Sequence, residues 1–242
     1  MNRPKLRDSR KLSSEIYEIG NFPQEIITKI GGGIVFLLYT GRNDITGDDW
    51  GDIFAEAVGG VHLSSPIGIA DVVKDAFAWS MKTVKSPNPF NGRSVRLISG
   101  RCSPDYSFGI LDPHEDVQKT GEAVLAIWNS RVDIALSHYS QARVGVLIRN
   151  YNLDEFVLFE EYLEHFKISD YEWRENHHGN LEGFHKITKI KHFVWQPHGS
   201  QFTIIVDVPT DSVKFKLKRP EIMTKENALK QIGFDASWIE FV

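Results

Sequence analysis

Asp71, Ser80 and Lys82 are the residues of this chain whose types and spacing could do chemistry. They fall within GIADVVKDAFAWSMKTVK, Gly68 to Lys85, which reads as two short strands joined by a tight turn. Alternation along a strand puts Ala78, Ser80 and Lys82 on one face and Phe77, Trp79 and Met81 on the other. Folding the hairpin brings Asp71 back beside the first face. A carboxylate held next to a lysine on the edge of a sheet can bind a divalent metal and activate water. An Asp near a Lys across a hairpin is more often a surface ion pair, so their neighbours in the fold have to decide.

The elements around the hairpin follow from pattern. Ser13 to Ile30 holds one or two short helices, with Ser13 or Ser14 as cap and Pro23 as an interruption. Gly31-Gly32-Gly33 is expected to break the chain. Ile34 to Tyr39 is then a buried strand or a helical turn, which periodicity does not separate. Asp48 to Val58 predicts a helix: acids open it, Trp50, Ile53, Phe54, Ala57 and Val58 give an apolar face, and Gly59-Gly60 stops it. Ser94 to Ser99 is a third strand after the hairpin. Pro113 to Tyr139 is the longest helix, with Val117, Gly121, Val124, Trp128, Val132 and Ala135 spaced by three and four. Gly121 in its interior suggests close packing on a sheet. Arg143 to Ile148 follows as an apolar strand, and a helix of that length between two strands suits a crossover with parallel pairing. Beyond residue 150 the chain is richer in strands, at Phe156 to Phe159, His192 to Gln196, Phe202 to Val208 and Val213 to Leu217, with a short helix capped by Thr224 near the end.

Composition sets bounds on this reading. The chain has 242 residues, 41% hydrophobic and 25% charged, with a net charge of −4, so no global basic signature marks a nucleic-acid binder. Charge is nevertheless segregated. Ala76 to Pro104 contains no acid but carries Lys82, Lys85, Arg93, Arg96 and Arg101. Such segregation can make a positive groove on a net-acidic protein. One cysteine, Cys102, excludes an intrachain disulfide and fits a reducing cytoplasm; it reads as a buried or incidental thiol. The basic N-terminus has no apolar segment after it, against a signal peptide. Five histidines between His177 and His198 lack the spacing of a structural zinc site.

The order helix, strand, strand, strand, helix, strand, with Asp71 on one strand and Ser80-Met81-Lys82 on the next, resembles the PD-(D/E)xK nucleases, and type II restriction endonucleases most of all. That resemblance implies an α/β architecture on a mixed sheet. It consists of an N-terminal segment over 1–47, an αβββαβ catalytic core over 48–150, and a β-rich DNA-recognition region over 151–242. The family usually has an acid two residues before the lysine, where this chain has Ser80. Some relatives keep serine there and bring a second carboxylate from elsewhere. Glu56 on the preceding helix is the first choice, Asp75 in the hairpin turn the second, and Glu115 and Glu122 on the long helix the third.

The implied activity is Mg²⁺-dependent, site-specific hydrolysis of double-stranded DNA. Asp71, Glu56 and the Met81 carbonyl would offer hard oxygen donors to Mg²⁺. Lys82 would hold the attacking water and stabilise charge on the phosphate. Burial would lower its pKa while Asp71 and Glu56 would hold it up, and the sequence leaves both open. Lys85, Arg93, Arg96 and Arg101 are expected to grip phosphates. Gln196, His198 and Gln201, in a polar turn between apolar strands, are expected to read base edges from a hairpin tip. The resemblance also implies a homodimer in a prokaryotic cytoplasm, with a DNA methyltransferase as functional partner. The alternatives are a structure-selective repair-type nuclease of the same fold, or a DNA-binding relative without activity.

Overall fold

The computed structural model describes residues 16–63 and 69–242; the Ser13/Ser14 cap and Gly68 lie outside them. Helix α1, Gln24–Tyr39, runs unbroken through Gly31-Gly32-Gly33. The expected break is therefore absent, and Ile34 to Tyr39 is the end of this helix. The reason is packing. A Cβ on Gly33 would sit 3.0 Å from Ile53, so the bare backbone lets α1 lie closely on the next helix. That contact offsets the roughly 1 kcal/mol that an interior glycine costs a helix. Helix α2, Gly47–Val58, opens with a reciprocal capping box between Thr46 and Asp49 and closes at Gly59 in the left-handed conformation.

Strands β1 (Val61–His62), β2 (Val72–Lys74) and β3 (Phe77–Lys85) form an antiparallel meander. Asp75 turns the β2–β3 hairpin with φ 50° and is exposed. Strand β4, Ser94–Arg101, and the short helix α3, Pro104–Phe108, precede the long helix α4, Val117–His138. Strand β5, Gln141–Arg149, then pairs in parallel with β3, as the crossover predicts. The rest comprises β6 (Glu155–Tyr162), β7 (Tyr171–Glu175), β8 (Leu181–His185), β9 (Lys191–Gln196), β10 (Gln201–Asp207), β11 (Val213–Lys216) and helix α5, Lys225–Gln231.

Two open sheets result, so the protein is a mixed α+β structure. The first has the order β1-β2-β3-β5-β6-β11 and the second β4-β10-β9-β8-β7. The third strand expected beside the hairpin, β4, belongs to the second sheet, paired with β10. The third strand of the meander is supplied by β1, too short to read as a strand in the sequence. Conversely β6 and β11, from beyond residue 150, complete the first sheet. A boundary at residue 150 thus does not separate the two sheets. Burial explains the exchange: Val95 and Leu97 on the inner face of β4 pack against Val146, Ile148, Val157 and Phe159 of the first sheet. The two sheets therefore meet face to face there and share a core.

Each face of the first sheet has its own cover. Phe77, Trp79 and Met81 face α1 and α2, with the Phe54 and Trp79 rings 5.4 Å apart. The other face meets α4 and the second sheet, where Val124, Leu125, Trp128 and Val132 pack with Ala142 and Leu163. Gly121 does pack closely, but on the second sheet: a Cβ there would lie 2.1 Å from the Trp173 ring.

Candidate active site

The local register builds the site. Val72 pairs with Trp79, which sets Asp71, just ahead of β2, opposite Ser80. The Asp71 N–H donates to the Trp79 carbonyl at 2.8 Å, and the Asp71 carbonyl accepts from the Leu63 N–H at 2.8 Å. Asp71 is thus held by backbone bonds on both sides. Its Oδ2 accepts from the Met81 N–H at 2.7 Å and from the Ser80 hydroxyl at 3.4 Å, and lies 3.5 Å from Lys82 Nζ. Lys82 Nζ also donates to Ser80 Oγ at 2.8 Å and to the Met81 carbonyl at 3.1 Å. Asp71, Ser80, Met81 and Lys82 therefore form one hydrogen-bonded cluster.

Lys82 is largely enclosed, with 19% of its side chain exposed against 27% for Asp71. Burial pulls its pKa below the ordinary lysine value, and Asp71 opposes that shift without cancelling it. Of the two causes left open by the sequence, desolvation prevails. Ser80 is buried and acts as the acceptor that fixes the ammonium. A carboxylate at this position would add negative charge beside Asp71; a hydroxyl adds only a dipole.

Glu56 is exposed, on the same flank of α2 as Asp52, whose Oδ1 lies 2.8 Å from His62 Nδ1. Helix α2 packs on the sheet face opposite Ser80 and Lys82. Among the described residues, no hydrogen bond or ion pair joins Glu56 to Asp71. Glu115 is exposed beside α4, and Glu122 accepts from Gln118. None of these acids joins the cluster.

Sequence reasoning missed Glu161. Ser80 pairs with Val144 and Val144 with Glu161, so Asp71, Ser80, Val144 and Glu161 form one row on one sheet face. Ser80, Lys82 and Glu161 line a cavity of about 320 Å³ between the sheets, together with Ser99, Trp128, His192 and Asp207. Burial raises the Glu161 carboxyl above its usual range, with Glu164 and Asp207 adding to the shift. The alternation FEEY at the end of β6 carries no local sign of this. Only the pairing of three strands reveals it.

The expected phosphate contacts are dispersed. Lys85 is paired with Asp44 at 2.7 Å. Arg93, Arg96 and Arg101 are exposed, and none forms an ion pair among the described residues. Arg96 alternates with the inward Val95 and Leu97, so it leaves the second sheet on the side away from Lys82. The turn between β9 and β10 is a hairpin tip: His198–Ser200 makes one tight turn, with Gly199 at φ 81° and Ser200 at φ 52°. Gln196 pairs with Gln201, and Gln201 with Arg101, so these polar residues gather at one end of the second sheet. Trp195 Nε1 and the Ser200 carbonyl anchor the tip to the Cys102 backbone, each at 2.8 Å. The Cys102 thiol is fully buried and pushed up to about 11 by burial, which leaves it unreactive near neutral pH.

The donors at Asp71 are all oxygen: a carboxylate whose Oδ1 takes no hydrogen bond among the described residues, and the Met81 carbonyl with a second lone pair. No group of three or more His, Cys, Asp or Glu side chains converges among the described residues. Such a sparse, hard donor set fits Mg²⁺, which keeps several waters and takes one or two carboxylates from protein. Compared with protein-family models, with curated proteins and with solved structures, the chain matches none.

Proposed function

We propose that this protein is a Mg²⁺-dependent, site-specific endonuclease of double-stranded DNA, a type II restriction enzyme of the PD-(D/E)xK kind. The observation that carries the reading is the bonded cluster of Asp71, just ahead of β2, with Ser80 and Lys82 on β3. The surrounding order supports it. A helix, a three-strand meander and a helix lead to a strand parallel to the third, an order compatible with an αβββαβ core once β4 is set aside as a strand of the second sheet.

Asp71 and the Met81 carbonyl would hold Mg²⁺, which when bound supplies an activated water and neutralises phosphate charge. Lys82, fixed by Ser80, orients the attacking water and carries positive charge toward the scissile phosphate. The hairpin tip with Gln196, His198 and Gln201, beside Arg101, supplies groups for base edges and phosphates. Cutting both strands at a symmetric site calls for two copies of this centre, hence a homodimer, and a methyltransferase marking the same site would protect the host DNA.

A second reading rests on the single carboxylate of the cluster: a DNA-binding relative that has lost cleavage, or one that recognises structure instead of sequence. One experiment separates the three. Plasmid and phage DNA are incubated with the protein and Mg²⁺. Discrete fragments that disappear with Lys82→Ala support the restriction reading. Cutting governed by ends, nicks or mismatches favours the structure-selective one. Salt-dependent binding without product favours the inactive one.

A further inference from the structure

From Glu221 onward no residue is buried, and from Gln231 onward every residue is exposed. Yet this segment is folded. Thr224 caps α5 by accepting from the Asn227 N–H, Asp235 accepts from the Ser237 N–H, and the Phe234 and Trp238 rings meet at 5.7 Å. It is tied to the body near its base, where the Met223 N–H donates to the Tyr39 carbonyl and Ile222 reaches Gly41. A seven-residue helix is not stable alone in water, where even good helix formers need about 12–15 residues. Its stability must come from packing of an apolar face, and within this chain only Met223, Ala228 and Leu229 are partly covered, while the aromatic residues that follow are left exposed.

The side chains on offer are large. Phe234, Trp238 and Phe241 are 41%, 58% and 93% exposed, and Ile222, Ile232 and Ile239 are each more than half exposed. Taking about 150–250 Å² for a whole aromatic side chain, the exposed parts of these three rings alone present roughly 300–500 Å² of apolar area, to which the three isoleucines add. A monomer's largest apolar patch is typically about 300–600 Å², and a standard interface takes about 800 Å² from each partner. The rings and isoleucines together therefore supply a large share of what one side of a stable dimer takes.

We propose that the segment from Ile222 to Phe241 is a dimerisation arm that packs on the same segment of a second copy of this chain. Its charges favour that occupant. Lys225 and Lys230 stand against Glu226, Asp235 and Glu240, so two arms do not repel. An arm for DNA or an anionic membrane would need a basic polar face, which this one lacks. A two-fold axis makes an arm-to-arm contact self-complementary. This locates the interface that the proposed double-strand cutting requires, and in that sense it rests on that reading.

The test is sedimentation velocity of the full chain, without DNA or Mg²⁺, across a concentration series. The wild type should sediment as a dimer. Trp238→Glu and Phe241→Glu should each raise the dimer dissociation constant at least about tenfold, as for a buried aromatic at an interface. Far-UV circular dichroism should report an intact body for both variants. A wild type that stays monomeric throughout overturns the proposal, and so does a dimer indifferent to both substitutions. A monomeric wild type that binds anionic vesicles overturns it as well. The nuclease reading is judged separately. Lys82-dependent cutting by a monomeric wild type sinks the arm alone, whereas an arm-dependent dimer that never cuts DNA sinks the nuclease alone.

Discussion

Lys82 Nζ donates a 2.8 Å hydrogen bond to Ser80 Oγ, two residues back on the same strand and face. Where the nuclease family proposed above carries an acid, this chain uses a hydroxyl to hold the lysine. Under the proposed nuclease activity, Ser80→Ala should lower the cleavage rate constant by about tenfold, because an unfixed ammonium spends less time aligned with the reacting groups. Stability should fall by only about 1 kcal/mol, the typical worth of one hydrogen bond. Single-turnover cleavage and urea denaturation check the two halves; full activity in Ser80→Ala would remove the serine from the site.

Asp71→Asn keeps an oxygen to accept the Met81 N–H, now bonded at 2.7 Å, but removes the charge. Cleavage at saturating Mg²⁺ should drop by roughly 10²–10³-fold, the scale seen when an electrostatic group is removed from a catalytic site. The urea midpoint should barely move. A variant that unfolds instead would show that Asp71 serves the hairpin and not chemistry.

The lowered pKa of Lys82 makes a pH prediction with a definite sign. The folded protein releases this proton at lower pH than the unfolded chain does, near the ordinary lysine value of 10.5. Between those two values the unfolded state binds more protons, so this group's contribution makes stability rise with pH. Lys82→Met lacks that contribution. Its stability minus that of the wild type should be greatest near neutral pH and decline as pH climbs into the alkaline range. Paired urea titrations over that range measure it; a difference that grows with pH contradicts the burial of Lys82.

On the opposite sheet face, Glu160 accepts from the Tyr17 hydroxyl and from Trp79 Nε1, both at 2.7 Å, and pairs with Arg143 at 3.2 Å. Burial pushes the Glu160 carboxyl upward against the pull of these partners. Both charges of the pair are almost wholly enclosed. Glu160→Ala would strand the Arg143 guanidinium in the core and should cost about 3–5 kcal/mol. Replacing both partners with apolar residues of similar volume should recover much of that loss. Chemical denaturation of the single and double variants tests the coupling.

The sequence by itself determined what is local. Alternation of period two placed Ser80 with Lys82 and against Trp79, and the turn at Asp75 brought Asp71 back to them. The signals at Gly59 and Thr224 marked helix ends for the same reason: caps are satisfied within a few residues. Tertiary structure decided the rest, because strand pairing depends on which apolar faces find a common core. Val95 and Leu97 carried β4 into the second sheet, although its sequence follows the hairpin. Ile53 made Gly33 of α1 a packing contact instead of a break. Glu161 came into the row of Ser80 through two pairings across more than sixty positions of chain, a relation with no period to read, while Glu56 stayed in solvent. Local geometry is written in neighbouring residues; the set of groups that share a cavity is written only in the packing of distant ones.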